Sequence, residues 1–85
     1  MKTFAYTITH ETGIHARPAG LLVKEAKKFE SNISVARGDR KADLKKLFSV
    51  MALGVKQGEV ITVEVEGADE DVAAIAVETF LRANL

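Results

Sequence analysis

The feature that most limits what this chain can become is its hydrophobic period, which changes from one short segment to the next. Phe4, Tyr6 and Ile8 alternate with Thr3, Ala5 and Thr7, the two-residue period of a half-buried strand, and Glu11-Thr12-Gly13 breaks it. From Ala16 to about Phe29, the residues Ala19, Leu22, Val23 and Ala26 recur at helical spacing. Pro18 falls in the first turn of that helix, where a missing amide proton costs nothing. Ile33 and Val35 predict a second short strand, Arg37-Gly38-Asp39 a turn, and Arg40 to Asp43 a third strand. Leu47 to Leu53 predicts a short helix stopped by a left-handed cap at Gly54. A turn at residues 55–58 then leads into the most β-branched stretch, Val60 to Val65, with Ile61, Val63 and Val65 on one face and Gly67 at its end. Asp69, Glu70 and Asp71 favour a helix start, and Ala73, Ala74, Val77, Phe80 and Leu81 form an apolar stripe beyond them.

The element order is therefore βαββαβα. Strands that are polar at alternate positions imply a sheet with one wet face, and helices with one apolar stripe imply that they cover the other. An open-faced, two-layer α+β sandwich is expected, while the pattern leaves strand pairing open. Eighty-five residues at 47% hydrophobic content, with no linker or repeat, suit a single domain over residues 1–85 with one core. A deep enclosed active site is not expected, so the chemistry belongs on the surface. The chain has no cysteine, which excludes disulfides and thiolate metal sites. No metal cluster or acid/base pair stands out, so neither a cofactor nor an independent enzyme activity is expected. No window approaches the roughly 18 consecutive apolar residues of a membrane span, and the first residues lack the apolar run of a signal peptide. A cytoplasmic protein without membrane insertion is the expectation.

Net charge is zero, but its distribution is uneven. Residues 1–48 carry ten Lys/Arg against five Asp/Glu, and residues 49–85 carry two against seven. If the fold gathers Arg17, Lys24, Lys27, Lys45 and Lys46 on one side, that side steers acidic partners. Nucleic acid is not expected as a partner, because the basic residues lack a dense Arg/aromatic pattern.

The segment richest in chemistry is Gly13-Ile14-His15-Ala16-Arg17-Pro18-Ala19. It sets a histidine between a glycine turn and the start of a helix. A helix start presents amide protons without intrahelical partners and the positive end of the macrodipole, which together suit an anion. A phosphoryl group on His15 can accept from the amides of Ala16 and Arg17, and the Arg17 guanidinium is two residues away. His10 has no comparable company in the sequence and is assigned no role.

This segment resembles the active-centre signature of the HPr family of histidine phosphocarriers. Residues 41–54, Lys-Ala-Asp-Leu-Lys-Lys-Leu-Phe-Ser-Val-Met-Ala-Leu-Gly, are similar to that family's second signature, and Gly58 through Glu70 to its last strand and helix start. The resemblance covers essentially the whole chain. It implies an open-faced sandwich of four antiparallel strands with three helices on one face. It further implies a monomer without cofactor that takes a phosphoryl group from phospho-Enzyme I and passes it to the sugar-specific IIA component of a permease. By the same resemblance the acceptor is Nδ1 of His15, with Arg17 stabilising the phosphate charge.

A docking face is expected beside the histidine. Arg17, Gly20, Leu21 and Lys24 lie at i, i+3, i+4 and i+7 of the first helix, opposite its core stripe, with Lys27 following. Gly20 stands where the family often has a small side chain. The second helix is apolar at 47, 48, 50, 51 and 53, more than one face can bury, so part of Leu47, Phe48 and Met51 should be exposed. One departure concerns regulation: where some relatives carry a phosphorylatable serine in the second signature, this chain has Lys46. Serine-based regulation at that position is expected to be absent, and Ser49 is in the wrong register to replace it. Two alternatives remain at this point. One is a paralogue in a nitrogen- or dihydroxyacetone-related relay; the other is a non-phosphorylated binding module that uses only Leu47, Phe48 and Met51.

Overall fold

The computed structural model describes all 85 residues. Its elements are β1 (Lys2–Thr7), α1 (Ala16–Ala26), β2 (Asn32–Arg37), β3 (Arg40–Asp43), α2 (Leu47–Ala52), β4 (Val60–Glu66) and α3 (Glu70–Asn84). The expected order βαββαβα holds. The strands form one antiparallel sheet in the order β1-β4-β2-β3. The most β-branched strand is thus an interior one, with Val63 paired to Phe4 on one side and to Val35 on the other.

One face of this sheet is dry. Ile33, Val35, Ile61, Val63 and Val65 are each at most 2% exposed, and they meet Ala19, Leu22 and Ala26 of α1, Val50 of α2 and Ala73, Val77 and Leu81 of α3 in one core. Each such aliphatic side chain contributes about 1.5–3 kcal/mol on burial. Thr3, Ala5, Thr7, Asn32, Lys41 and Asp43 lie exposed on the strands, in keeping with an open-faced sandwich. Phe4 and Tyr6 pack against the core only in part, because β1 is an edge strand.

The first helix ends three residues earlier than its periodicity predicts. Beyond Ala26 the amides of Lys28 and Phe29 reach back only three residues, to Glu25 and Ala26, so the last turn tightens and leaves the α-helical pattern. Lys45 Nζ then donates to the Phe29 carbonyl at 2.7 Å, which places a cation at the negative end of α1. Gly54 has φ +62° and stops α2, as expected.

Two side chains tie the loops to this frame. Arg37 donates from Nη1 to the Leu53 carbonyl at 2.8 Å and from Nε to Glu59 Oε2 at 2.8 Å, which joins the end of β2 to the end of α2. Asp69 turns its carboxylate away from its own helix. It accepts instead from the amides of Glu30 and Ser31, each at 2.9 Å, and from the Ser31 hydroxyl. Those hydrogen bonds hold its carboxyl below the usual range, the Ser31 hydroxyl contributing most. No helix is long and apolar enough to cross a membrane.

Candidate functional site

The loop between β1 and α1 is built on Gly13. Its amide donates to the His10 carbonyl at 2.9 Å, and the next amide, Ile14 N–H, donates to the Val55 carbonyl at 3.1 Å. Gly13 has φ +66°, and a Cβ there would lie 2.8 Å from Lys56 Cα and closer still to the Val55 carbonyl oxygen. Only glycine fits. With Ile14 buried beside it, the backbone leading into residue 15 is fixed from below.

His15 is the N-cap residue of α1, extended at φ −125° and ψ 177°, and its carbonyl accepts the first intrahelical bond from Ala19 at 2.9 Å. The amides of Ala16 and Arg17 have no partner, and Pro18 has no amide proton to satisfy. Two free donors therefore stand at the positive end of α1. Arg17 is exposed and has no carboxylate within ion-pair distance. His10, His15, Arg17, Pro18, Leu21 and Asn84 line a shallow recess of about 180 Å3.

The half-buried imidazole of His15 does not engage those amides. Its Nδ1 turns back into the loop, 3.1 Å from the Gly13 carbonyl oxygen and 3.0 Å from Thr12 Oγ1. Thr12 in turn meets His10: its Oγ1 lies 2.8 Å from His10 Nδ1, and its amide donates to the same nitrogen at 3.2 Å. The two histidine rings are 5.2 Å apart between centroids. The absence of company assigned to His10 from sequence is thus corrected. A pair five residues apart meets because the turn at Gly13 folds the loop back on itself, and no periodic pattern signals such a pairing.

The residues expected to form a docking face belong to α1 and α2. Leu21 is 48% exposed, Phe48 86% and Met51 37%, whereas Leu47 packs partly against the core. Arg17, Lys24, Lys27 and Lys46 surround this patch in sequence and are all exposed. None of them pairs with a carboxylate, unlike Lys28, Arg37 and Lys41, which do. Gly20 is half-buried, and a Cβ built on it meets nothing within 4 Å, so no intramolecular crowding demands a glycine. Lys46 is the N-cap residue of α2 and offers no side-chain cap.

A surface histidine at a helix start, flanked by two unpartnered amides and an unpaired arginine, is the kind of site that suits an anionic group. Comparison with known proteins gives the particular family. The family model described as the PTS HPr component phosphorylation site matches residues 2–83. The phosphocarrier protein HPr of Lysinibacillus sphaericus is 47% identical over 81 residues, covering 95% of this chain and 92% of that one. Among solved structures, the histidine-containing phosphocarrier protein of Mycoplasma has a TM-score of 0.94 at 39% identity, covering 96% of this chain and 93% of that chain. The HPr dimer of Thermoanaerobacter tengcongensis has a TM-score of 0.78 at 40% identity, covering 98% and 95%. The chain belongs to the HPr family, the phosphocarriers of the phosphotransferase system.

Proposed function

We propose that His15 Nδ1 accepts a phosphoryl group from phospho-Enzyme I and hands it to the IIA components of sugar permeases. The observation that carries this reading is the pair of unpartnered amides, Ala16 and Arg17, beside the half-exposed imidazole. A phosphorylated Nδ1 has neither a proton nor a lone pair to offer. Its contacts to Gly13 O and Thr12 Oγ1 must then break, and the ring turns toward the helix start, where the phosphate oxygens accept from the two amides and the Arg17 guanidinium. The receiving group therefore trades neutral hydrogen bonds for charge-assisted ones, which are about twice as strong.

Partners dock on Gly20, Leu21, Lys24, Lys27, Leu47, Phe48 and Met51. The unpaired cations there select an acidic partner, and the exposed Leu21 and Phe48 supply the apolar contact. The protein acts in the cytoplasm, as a monomer, a single domain that needs no cofactor and has no enzyme activity of its own. With Lys46 at the N-cap of α2, phosphorylation of a serine at that position plays no part in its regulation.

The test is transfer of labelled phosphate from phosphoenolpyruvate with catalytic Enzyme I, comparing the protein with its His15→Ala variant. Acid-labile, base-stable label on the wild type alone is the expected result. A folded wild type that takes no label from its cognate Enzyme I would overturn the reading in favour of a binding module.

A further inference from the structure

We infer that His10 is a second functional histidine, which acts through the Thr12 hydroxyl to hold the proton on His15 Nδ1 at rest and to receive it when that nitrogen is phosphorylated. The inference rests on the carrier reading above. Hydrogen-bond directions around the loop leave one arrangement. The Gly13 carbonyl oxygen can only accept, so His15 Nδ1, 3.1 Å away, is the donor and carries the proton. The Thr12 amide can only donate, so His10 Nδ1, 3.2 Å away, accepts and its proton sits on Nε2. The Thr12 hydroxyl stands between an accepting and a donating ring, at 2.8 Å from His10 Nδ1 and 3.0 Å from His15 Nδ1. It must donate to the first and accept from the second. A continuous chain therefore runs from His15 N–H to the Thr12 hydroxyl to the lone pair of His10.

This chain addresses a difficulty in the resting site. A nitrogen that carries a proton cannot attack phosphorus. In the proposed step the His15 Nδ1 proton passes to Thr12 Oγ1 while the hydroxyl proton passes to His10 Nδ1, and Nε2 of the half-exposed His15 ring takes a proton from solvent, so that the ring stays neutral. The ring then turns out of the loop, the freed Nδ1 lone pair forms the N–P bond, and the bond from phosphorus to the donor's phosphohistidine nitrogen breaks with its electron pair left on the donor ring. His10 ends as an imidazolium beside the new phosphoryl group, with ring centroids 5.2 Å apart at rest. Once the phosphoryl group has moved on, the ring turns back into the loop and the proton returns by the same route.

The groups around His10 are few. His15 lies beyond Thr12, Arg17 on α1 lines the same recess, and Glu11 adjoins it in the loop, exposed. From the end of α3 comes the neutral Asn84, and just past the helix the main-chain oxygen of Leu85 accepts the His10 amide at 2.9 Å. His10 and Thr12 are both exposed, so their substitution leaves the core intact.

The experiment follows the rate of phosphoryl uptake from phosphoenolpyruvate and limiting Enzyme I across pH, in the wild type and in His10→Ala, Thr12→Val and Thr12→Ser. It is joined to 15N NMR of the unphosphorylated imidazoles. His10→Ala and Thr12→Val are expected to slow uptake at least about tenfold and to change the shape of its pH profile. Thr12→Ser, which keeps the hydroxyl, is expected to restore both. The NMR spectrum of the wild type is expected to show His15 as the Nδ1–H tautomer and His10 as the Nε2–H tautomer. If His10→Ala takes label on His15 at the wild-type rate with an unchanged pH profile, the inference fails while the carrier reading stands. If the wild type takes no label at all, both fail together.

Discussion

The same substitution at two glycines of the active segment should move stability in opposite directions. At Gly13 the backbone has φ +66°, and an added Cβ runs into the main chain at residues 55 and 56. Alanine in that left-handed region costs about 1–2 kcal/mol. Relief of the overlap must also displace the Ile14 N–H from the Val55 carbonyl, a 3.1 Å hydrogen bond worth about 0.5–1.5 kcal/mol. Gly13→Ala should therefore lose about 1.5–3.5 kcal/mol in total. At Gly20 the added Cβ meets nothing within 4 Å inside a regular helix. Gly20→Ala should gain about 0.8–1 kcal/mol from helix propensity alone. For a domain of this size 1 kcal/mol corresponds to about 4–8 °C, so thermal denaturation followed by circular dichroism should place the two variants at least about 9 °C apart. A Gly13→Ala protein as stable as the wild type, or a Gly20→Ala protein less stable, would refute the reasoning. Uptake of phosphate adds a second readout. Because the new methyl of Gly20→Ala touches no residue of its own chain, any fall in kcat/KM with Enzyme I reports a partner packed against that site.

Phe48→Ala should leave stability within about 0.5 kcal/mol, since the ring is 86% exposed, yet lower kcat/KM for transfer by about tenfold, the equivalent of 1.4 kcal/mol of lost docking contact; unchanged transfer kinetics would remove Phe48 from the interface. Lys46→Ser replaces a cation at the positive end of α2 by a residue that can cap it, and urea unfolding should show a gain of about 1 kcal/mol. Acid should destabilise the fold. The carboxyls of Glu59, held low first by the Lys56 amide and then by Arg37, of Glu64, by Lys41, and of Asp69, by Ser31 and Glu30, all lie below their ordinary values of 4.5, 4.5 and 3.8. A carboxyl depressed in the folded state stabilises fully above its unfolded value, and that contribution is lost as pH falls through the folded one. The urea midpoint should therefore hold steady down to about pH 5 and fall below it, with a shallower decline in Asp69→Asn; a midpoint that rises on acidification contradicts the assigned bonds.

The parts of the fold that were legible are those in which one residue type repeats at one period. Ile61, Val63 and Val65 announce a buried strand face, and Ala73, Val77 and Leu81 a helix stripe, because burial acts on each side chain separately and leaves its mark at fixed spacing. Strand pairing leaves no such mark. The order β1-β4-β2-β3 depends on which connections can cross the ends of the sheet, and the alternation within β1 or β2 would suit several neighbours. The end of α1 is hidden in the sequence for a related reason: Phe29 continues the apolar pattern, yet the hydrogen bonds of its turn have already shortened to three residues.

The site divides along the same line. Gly13, His15, Ala16 and Arg17 could be read in order because a helix start is a local object, made by neighbours in the chain. His10 and Thr12 join it only through the direction of three hydrogen bonds inside a tight turn, and a sequence does not show which way a ring nitrogen faces. The distinction has a chemical consequence. The local part, free amides and a guanidinium, can hold a phosphate once it arrives, but it has no lone pair to take the proton that arrival displaces. Beyond solvent, the acceptor bonded to His15 through a single hydroxyl is His10.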